Sequence, residues 1–358
     1  MNLRILFHLC LFVLLTSCST INGNSNIDLD DERAILIKFF NDNPDNTLGW
    51  DLDGEIADWS GVSLDDEGRV VGLFLRNEHI STVSSELGHL DFLFSLTLDQ
   101  NEIEELPESI GDLIRLELLS VNRNELDELP NTIGELQNLN ELYVNNNNLE
   151  NIPTRIGELS SLTRLDLSDN QMENLPEEIG NLSSLIQLSL HNNSLTSLPD
   201  EFANLIQLER LELRDNMLTS LPFSITQLPI INLDISDNKL TNLPTSIGDF
   251  TNLKFLNINR NQVSQIPEAI GDIQSLELLH AISNQLTSIP STIGGISTLN
   301  SIHLHDNQLT SIPKEIANLD LDNLLIHQNN ISVIPKEVCE AFTFNNNTFR
   351  KDDMAECE

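Results

Sequence analysis

The chain has 358 residues, and 56 acidic side chains against 18 lysines and arginines give it a formal net charge of −38. A surface this acidic repels phosphate backbones, which disfavours nucleic acid as a partner. Hydrophobic residues make up 39% of the chain, too many for a disordered acidic protein, and aromatic residues only 5%, so we expect a folded protein with an aliphatic core.

The first twenty residues have the composition of an export signal. Arg4 precedes an apolar run over residues 5–15, which is too short to span a bilayer. The stretch Leu-Thr-Ser-Cys that follows, ending at Cys18, resembles a bacterial lipobox, in which the cysteine becomes the lipid-modified first residue of the mature protein. We therefore predict a signal peptide over residues 1–17 and a lipid anchor at Cys18 in the outer membrane or cell surface. An ordinary secretory cleavage nearby is the alternative.

Two segments separate this signal from the rest of the chain. Residues 18–29 are polar and unpatterned, which is typical of a flexible tether. Residues 30–68 are predicted to form an N-terminal cap that begins with a short helix, capped by aspartates. Its apolar residues are expected to contact the first repeat; they are Ala34, Ile35, Ile37 and Phe40.

From residue 69 to residue 338 the chain repeats one pattern twelve times. The stretch LTLDQNEIEELPESIGDL (residues 96–113) returns as LSVNRNELDELPNTIGEL (residues 119–136). Glu78 marks the first copy, and an asparagine marks each later one, at intervals of 23 residues in nine steps and 22 in two. A proline lies six residues after every one of these asparagines. The asparagines are Asn101, Asn124, Asn147, Asn170, Asn193, Asn216, Asn238, Asn261, Asn284, Asn307 and Asn329.

This pattern resembles the leucine-rich repeat family, L-x-x-L-x-L-x-x-N-x-L, and its tail LPxxIGxLxxL is most similar to the 23-residue repeats of Ras-suppressor-type and plant intracellular proteins. The resemblance implies an α/β solenoid: a curved horseshoe with a parallel β-sheet on the concave face and short 3-10 or irregular segments on the convex face. The residues support this independently. Leu96 and Leu98 lie two apart and would enter a shared core from one side of a strand. The asparagine amide can satisfy backbone groups at the bend.

Both ends of the stack are expected to be covered. Residues 31–50 together with residues 57–75 resemble the N-terminal cap of plant receptor-type leucine-rich repeat proteins, but without the cysteine pair of that cap. The residues that carry the resemblance are Trp50, Trp59, Gly61, Val62, Gly68 and Val70. Residues 339–358 are predicted to form a C-terminal cap. If Cys10 leaves with the signal and Cys18 carries lipid, Cys339 and Cys357 remain and should form a disulfide in an oxidising compartment; two unpaired thiols are the alternative.

The inner sheet is the predicted binding surface, because caps and repeats leave no room for a catalytic domain and no P-loop, H-E-x-x-H or G-x-S-x-G motif is present. The residues six, four, two and one before each asparagine should face away from the core. Together with the same positions before Glu78 they include six arginines and nine acidic residues, so this face is nearly balanced in charge while the rest of the chain is strongly acidic. Ordinary strand composition is the alternative explanation of this balance.

The candidate ligand-binding residues lie in the middle and C-terminal repeats of that face. They are Arg210, Arg214, Phe255, Leu278, His280, Ile282, His303, His305, Leu325 and His327. At strand spacing His280 should neighbour His303, and His305 should neighbour His327. The histidines could share a zinc or copper ion, form a pH-sensitive contact, or belong to an apolar and polar contact patch. We assume the third and predict no metal site and no cofactor.

The predicted function is non-enzymatic recognition of a protein, or a glycan, on the concave face at the bacterial cell envelope. The resemblance implies protein–protein interaction as the usual use. An inhibitor or receptor of extracellular polysaccharide-degrading enzymes is the first alternative. A metal-dependent hydrolase using the histidines and an intracellular signalling scaffold are the others.

Overall fold

The computed structural model of the protein describes residues 29–343 and 348–358. The predicted signal peptide, Cys18 and all of the predicted tether except residue 29 lie outside these residues.

The described chain alternates very short strands with 3-10 helices. The strands are β1 (Val62–Leu64), β2 (Val70–Phe74), β3 (Ser95–Thr97), β4 (Leu118–Ser120), β5 (Glu141–Tyr143), β6 (Arg164–Asp166), β7 (Gln187–Ser189), β8 (Arg210–Glu212), β9 (Asn232–Asp234), β10 (Phe255–Asn257), β11 (Leu278–His280), β12 (Ser301–His303), β13 (Asn323–Leu325), β14 (Val333–Ile334), β15 (Thr348–Arg350) and β16 (Glu356–Cys357). The α-helices are α1 (Leu29–Asp42) and α2 (Lys336–Thr343). The 3-10 helices are Ile56–Asp58, Ser85–His89, Glu108–Asp112, Asn131–Glu135, Thr154–Glu158, Glu177–Asn181, Asp200–Asn204, Phe223–Gln227, Ile247–Asp249, Glu268–Asp272, Ser291–Gly295 and Lys314–Asn318.

Fourteen of these strands form one sheet in chain order. The order runs from β1 to β13 and ends with β15, and β14 pairs with β16 in a separate two-stranded sheet. Every pair from β2 onward is parallel and in register, so the first, middle and last residues of neighbouring strands form continuous columns. Only β1 is antiparallel to its neighbour. The predicted leucine-rich repeat horseshoe is confirmed, with the strands on its concave face and the 3-10 helices on the opposite side.

The core lies between strands and 3-10 helices and is almost entirely aliphatic. In one repeat Leu96 and Leu98 are fully buried, as the two-residue spacing predicted, and Ile110 of the 3-10 helix closes the same turn from the other side. The equivalent residues of each repeat continue this pattern in a single hydrophobic cluster. Each repeat therefore completes the burial of its apolar side chains by stacking on the adjacent repeats.

The asparagines form a hydrogen-bonded ladder inside the bend. The side-chain amide of Asn216 donates to the carbonyl oxygens of Leu190 in the preceding repeat and Leu213 in its own, at 2.9 and 3.1 Å. Its Oδ1 accepts from the backbone N–H of Leu195 at 2.9 Å. Each asparagine thus joins two repeats through backbone groups that the bend would leave unpaired, as predicted.

The residue before each ladder position has a left-handed backbone conformation, which the sequence analysis did not anticipate. Gln100 has φ 58°, Arg123 φ 55° and Asp306 φ 58°, and the same holds in every repeat. The N–H of Gln100 donates to the carbonyl oxygen of Asn122 in the next repeat at 2.8 Å. These residues accept an unfavourable conformation because it continues the inter-repeat hydrogen bonds around the bend.

The N-terminal helix contacts the core through three of the four predicted residues and through two that were not predicted. Leu36 and Phe39 are its fully buried residues, whereas Ala34 is exposed. Ile35, Ile37 and Phe40 are partly buried against the core. The assignment of Ala34 to the contact was therefore wrong. Glu32 of the same helix is also buried and accepts a hydrogen bond from the N–H of Val70 at 2.7 Å.

Aromatic stacking completes this cap. The rings of Trp50 and Trp59 stack at 4.8 Å, and Phe40 stacks on Trp50 at 5.9 Å. Gly61 has φ 79°, and a Cβ there would lie 2.5 Å from the carbonyl oxygen of Phe74. The tryptophans and this glycine therefore make one packed unit with β2.

The C-terminal segment folds back and is closed by the predicted disulfide. Cys339 of α2 and Cys357 of β16 are bonded, with their Cα atoms 6.2 Å apart. The ring of Phe342 in α2 stacks on that of Phe349 in β15, with centroids 4.9 Å apart. Since α2 begins at residue 336, the predicted boundary between residues 338 and 339 falls inside this helix.

Candidate functional site

The candidate site is the solvent-facing side of the sheet. On β10 and β11 the middle residues Leu256 and Leu279 are fully buried, while Phe255, Leu278 and His280 on either side are only half-buried. The alternation follows from strand geometry, because successive side chains point to opposite faces. Residues two positions beyond each strand, such as Ile282 and His305, continue the same exposed surface.

The histidines lie together, with the neighbours that the sequence predicted. The imidazole rings of His280 and His303 stack with centroids 4.3 Å apart, and those of His305 and His327 stack at 4.5 Å. The Phe255 ring meets His280 edge-on at 5.3 Å. This row of rings, with Leu278, Ile282 and Leu325, forms one continuous surface that we call the imidazole stripe.

Three histidines of the imidazole stripe have lowered pKa values, which favours their uncharged form. Burial is the main cause that lowers the pKa of His280, His303 and His305, and the neighbouring imidazoles add to it. In addition, Nδ1 of His305 and Nδ1 of His327 are buried and have no hydrogen-bond partner within the described structure. Imidazolium needs an acceptor at both nitrogens, so the unpaired Nδ1 of His305 adds to the cost of the charged form of that residue.

The stacking geometry is poorly suited to a shared metal ion. The planes of His280 and His303 differ by only 2°, and those of His305 and His327 by 9°. A ring nitrogen binds a metal through the lone pair in its own plane, so parallel stacked rings direct their lone pairs side by side and do not converge on one ion. Within residues 29–343 and 348–358, no group of three or more potential metal ligands has a suitable arrangement.

Two adjoining grooves lie on this face. One, of about 480 Å³, is lined by Arg210, Arg214, Phe255 and Leu278 together with His191, Glu212 and Asp234. The other, of about 470 Å³, is lined by Arg214, Asp234, Arg260, Ile282, His305 and Asp306, among others. They share Arg214 and Asp234 and so form one depression across β7 to β13. Of the predicted residues, His280, His303, Leu325 and His327 lie beside this depression and outside its lining.

The acidic residues of the grooves already have partners within the protein. Asp234 accepts hydrogen bonds from the hydroxyl of Ser236 at 2.6 Å and from the amide of Asn257 at 3.0 Å. Glu212 accepts one from the hydroxyl of Ser189 at 3.2 Å and lies 3.5 Å from Nδ1 of His191. Their capacity to bind additional donors is correspondingly reduced.

His191 is a site residue that the sequence analysis missed. It lies between Glu212 and Asp169, whose oxygens are 3.5 and 3.6 Å from its ring nitrogens. Its hydrogen bond to Glu212 is the main cause that raises its pKa, and the same contact lowers the pKa of Glu212. The sequence did contain a signal for this residue: His191 lies two residues before Asn193, the position that Arg214 and His305 occupy in their own repeats.

Comparison with known proteins agrees with this architecture. A profile for a leucine-rich repeat region matches residues 71–148, 118–197 and 142–216. No protein with a curated description matches the sequence significantly.

Three solved structures illustrate the range of similarity. A leucine-rich repeat protein of Leptospira interrogans is 31% identical with a TM-score of 0.60, covering 77% of this chain and 82% of its own. The PEPR1–AtPEP1 structure is 26% identical with a TM-score of 0.61, and covers 90% of this chain and 55% of its own. An internalin, InlF, of Listeria monocytogenes is 24% identical with a TM-score of 0.60, and covers 81% of this chain and 91% of its own. Together with the repeat geometry, the identity and coverage of the Leptospira match show that the chain belongs to the leucine-rich repeat proteins.

Proposed function

We propose that this protein is a non-enzymatic recognition module that binds a protein ligand on its concave face. Leucine-rich repeat proteins are commonly protein-binding modules, which supports the general class. The observation that carries the proposal for this chain is the continuous depression across β7 to β13, bordered by half-buried apolar side chains. Grouped apolar residues with a polar rim are typical of protein interfaces.

The stacked repeats make this surface rigid before a ligand arrives. Strand residues are held by in-register pairing on both sides and by the asparagine ladder beneath them. Little conformational entropy is then lost on binding, which favours affinity. A complex of PEPR1 with AtPEP1 has been solved for a protein of this fold, and we transfer from it only the expectation of a proteinaceous ligand.

We further propose that the protein works outside the cytoplasm, anchored through lipid on Cys18. The disulfide between Cys339 and Cys357 supports export, because such bonds persist in oxidising compartments. In the described part of the chain, none of the helices combines the length and apolar composition needed to cross a bilayer. Labelling cells with radioactive palmitate tests the anchor: the wild type should incorporate label and Cys18→Ser should not.

The binding role is tested by capture from a bacterial envelope extract. Replacing Phe255, Ile282 and Leu325 together by serine should abolish capture of the ligand while leaving the melting temperature almost unchanged, because these side chains are only half-buried. A matched control replaces Phe223, Ile114 and Ile206 by serine; these are 65%, 59% and 66% exposed and lie away from the concave face.

Three outcomes decide the proposal. Loss of capture in the concave variant alone supports it, and equal capture by both variants contradicts it. A large drop in melting temperature of the concave variant would mean that these side chains belong to the core. Digesting the extract with a protease beforehand should remove the ligand; capture that survives would identify a glycan.

A further inference from the structure

Arginines on the concave face divide into those with an acidic partner and those without one. Arg214 lies 3.2 Å from the carboxylate of Asp215, and Arg260 lies 3.3 Å from that of Asp237. Arg164 forms an ion pair with Glu141. Despite the excess of acidic residues, four arginines of this face are exceptions that have no acidic partner among the described residues; they are Arg76, Arg123, Arg210 and Arg350.

Arg210 is such an exception and lies at one end of the site. Its side chain is exposed in the groove beside Phe255 and Leu278. Among the described residues it forms neither a salt bridge nor a side-chain hydrogen bond. Because Glu212 and Asp234 nearby already accept hydrogen bonds from the protein, the unused binding capacity of this groove is the planar guanidinium with its five N–H donors.

Arg350 is another exception; it lies at the opposite end of the site and comes from outside the repeats. The strand β15 pairs with β13 so that Arg350 lies opposite Leu325, in the column of His280 and His303. Its exposed side chain has no salt bridge or hydrogen bond to another described residue. The nearest acidic residue along the chain, Asp352, instead accepts from the backbone N–H groups of Gln328 and Asn329, at 2.6 and 3.0 Å.

The imidazole stripe occupies the surface between these two arginines. It consists of apolar side chains and imidazoles, and burial lowers the pKa of His280 and His303 within it. Six strand-to-strand steps separate β8 from β15, which at roughly 4.8 Å each is about 29 Å. An extended polypeptide at about 3.3 Å per residue covers this distance in about nine residues.

We propose that the concave face receives an extended peptide segment of about nine residues, with an acidic group at each end and apolar residues between them. Arg210 and Arg350 would each bind one carboxylate, and the imidazole stripe would cover the apolar middle. Ion pairs between these two arginines and the ligand carboxylates thus favour an acidic ligand, although the net charge of −38 would by itself favour a basic one. The inference rests on the proposed function, since it names the ligand of the same face.

The test uses three pools of fluorescein-labelled nonapeptides with blocked ends and equal composition in the middle. The seven central positions are randomised among leucine, valine, phenylalanine, serine and threonine. The pools differ only at the first and last positions, which are aspartate, asparagine or lysine. Fluorescence anisotropy with the full-length protein should show the aspartate pool binding about tenfold more tightly than the asparagine pool, and the lysine pool most weakly.

Variants of the arginines assign the effect. Arg210→Gln and Arg350→Gln should each reduce binding of the aspartate pool, and the double variant should bring it to the level of the asparagine pool. Arg123→Gln is the matched control, because Arg123 is an exposed concave arginine without a described partner four strands before β8. Glutamine also fits its left-handed backbone, as Gln100 does at the equivalent position.

The outcomes separate this inference from the proposed function. Equal or tighter binding of the lysine pool, wild-type binding by the double arginine variant, or no binding of any pool overturns the acidic-ended ligand. A further result is that all three pools bind to the wild type and fail to bind to the triple variant Phe255→Ser, Ile282→Ser, Leu325→Ser. That result would overturn the acidic-ended ligand and still support the concave face as the binding site.

Discussion

His280 and His303 lie face to face on neighbouring strands, with ring centroids 4.3 Å apart and planes within 2° of each other. The contact follows from in-register pairing of β11 with β12, which places the two side chains in one column. Burial in this contact lowers the pKa of both imidazoles, so protonation and stability are coupled.

Stability should therefore decrease as the pH falls below the ordinary histidine pKa of 6.5. The folded state lowers the pKa of His303, mainly by burial and then by the charge of His280. Below pH 6.5 the unfolded chain binds a proton that the folded protein excludes, which favours unfolding until the pH reaches the lowered pKa. Urea unfolding at about pH 7.5 and about pH 5.5 should show a smaller loss of stability for His303→Gln than for the wild type. His89→Gln, at an exposed position outside the stripe, should keep the wild-type loss; equal losses in all three proteins would contradict the coupling.

His191 should respond in the opposite direction. Its pKa is raised, mainly by the hydrogen bond to Glu212 and then by Asp169. The stabilisation from this contact is fully present below the ordinary pKa of 6.5 and is lost as the pH rises through the raised folded value. Following the His191 ring proton by NMR should give a midpoint above 6.5 in the wild type and a lower one in Glu212→Gln. An unchanged midpoint in that variant would show that Glu212 is not the cause.

The asparagine ladder should contribute strongly to stability at each rung. Asn216→Ala removes the acceptor of the Leu195 N–H and the donor to the carbonyls of Leu190 and Leu213, all in a region with little solvent access. We expect a loss of about 2 to 3 kcal/mol in the free energy of unfolding, because buried backbone groups are left unpaired. Asn174→Ala, at an exposed position, should change this free energy by less than about 0.5 kcal/mol. Similar losses in the two variants would show that the ladder is not the reason.

Glycines in the 3-10 helices should tolerate alanine very differently. A Cβ at Gly134 would lie 2.4 Å from the carbonyl oxygen of Arg155 in the next repeat, whereas a Cβ at Gly295 would meet nothing within 4 Å. Gly134→Ala should cost about 1 to 3 kcal/mol by forcing two repeats apart. Gly295→Ala should be neutral or slightly stabilising, because alanine restricts the unfolded chain. Thermal unfolding of the pair decides: a lower melting temperature for the Gly295 variant than for the Gly134 variant would refute the packing argument.

Much of the site was predictable because the repeat period converts sequence position into place on the sheet. Residues 23 apart, such as His280 and His303, become neighbours in one column once the period is known. The same rule placed Phe255 and Leu278 on the exposed side and Leu256 in the core. His191 obeyed the rule as well, but its significance lay in the carboxylates of Glu212 and Asp169, whose distances the period does not specify.

The caps followed no such rule. The helix face that meets the first repeat was misassigned at Ala34, because a single short helix carries several apolar residues and only the docking angle selects among them. Asn43 is an example. Its side-chain oxygen accepts hydrogen bonds from the N–H groups of Ser81 and Thr82 in the first repeat, but Asn43 itself lies outside the repeats, so the period does not mark it.

The sequence by itself determined the solenoid, its aliphatic core, the asparagine ladder and the residues on the exposed side of the sheet, because each depends on a local alternation repeated at constant spacing. The disulfide partners followed from the count of cysteines left after the predicted signal and anchor. Only the tertiary structure decided which charges pair, how the imidazoles stack, and that Arg350 joins the concave face. The period places side chains such as His280 and His303 in one column, but the distances and ring orientations depend on side-chain rotamers and on how the whole chain packs. The strand β15, which carries Arg350, lies outside the repeats, so no period marks it.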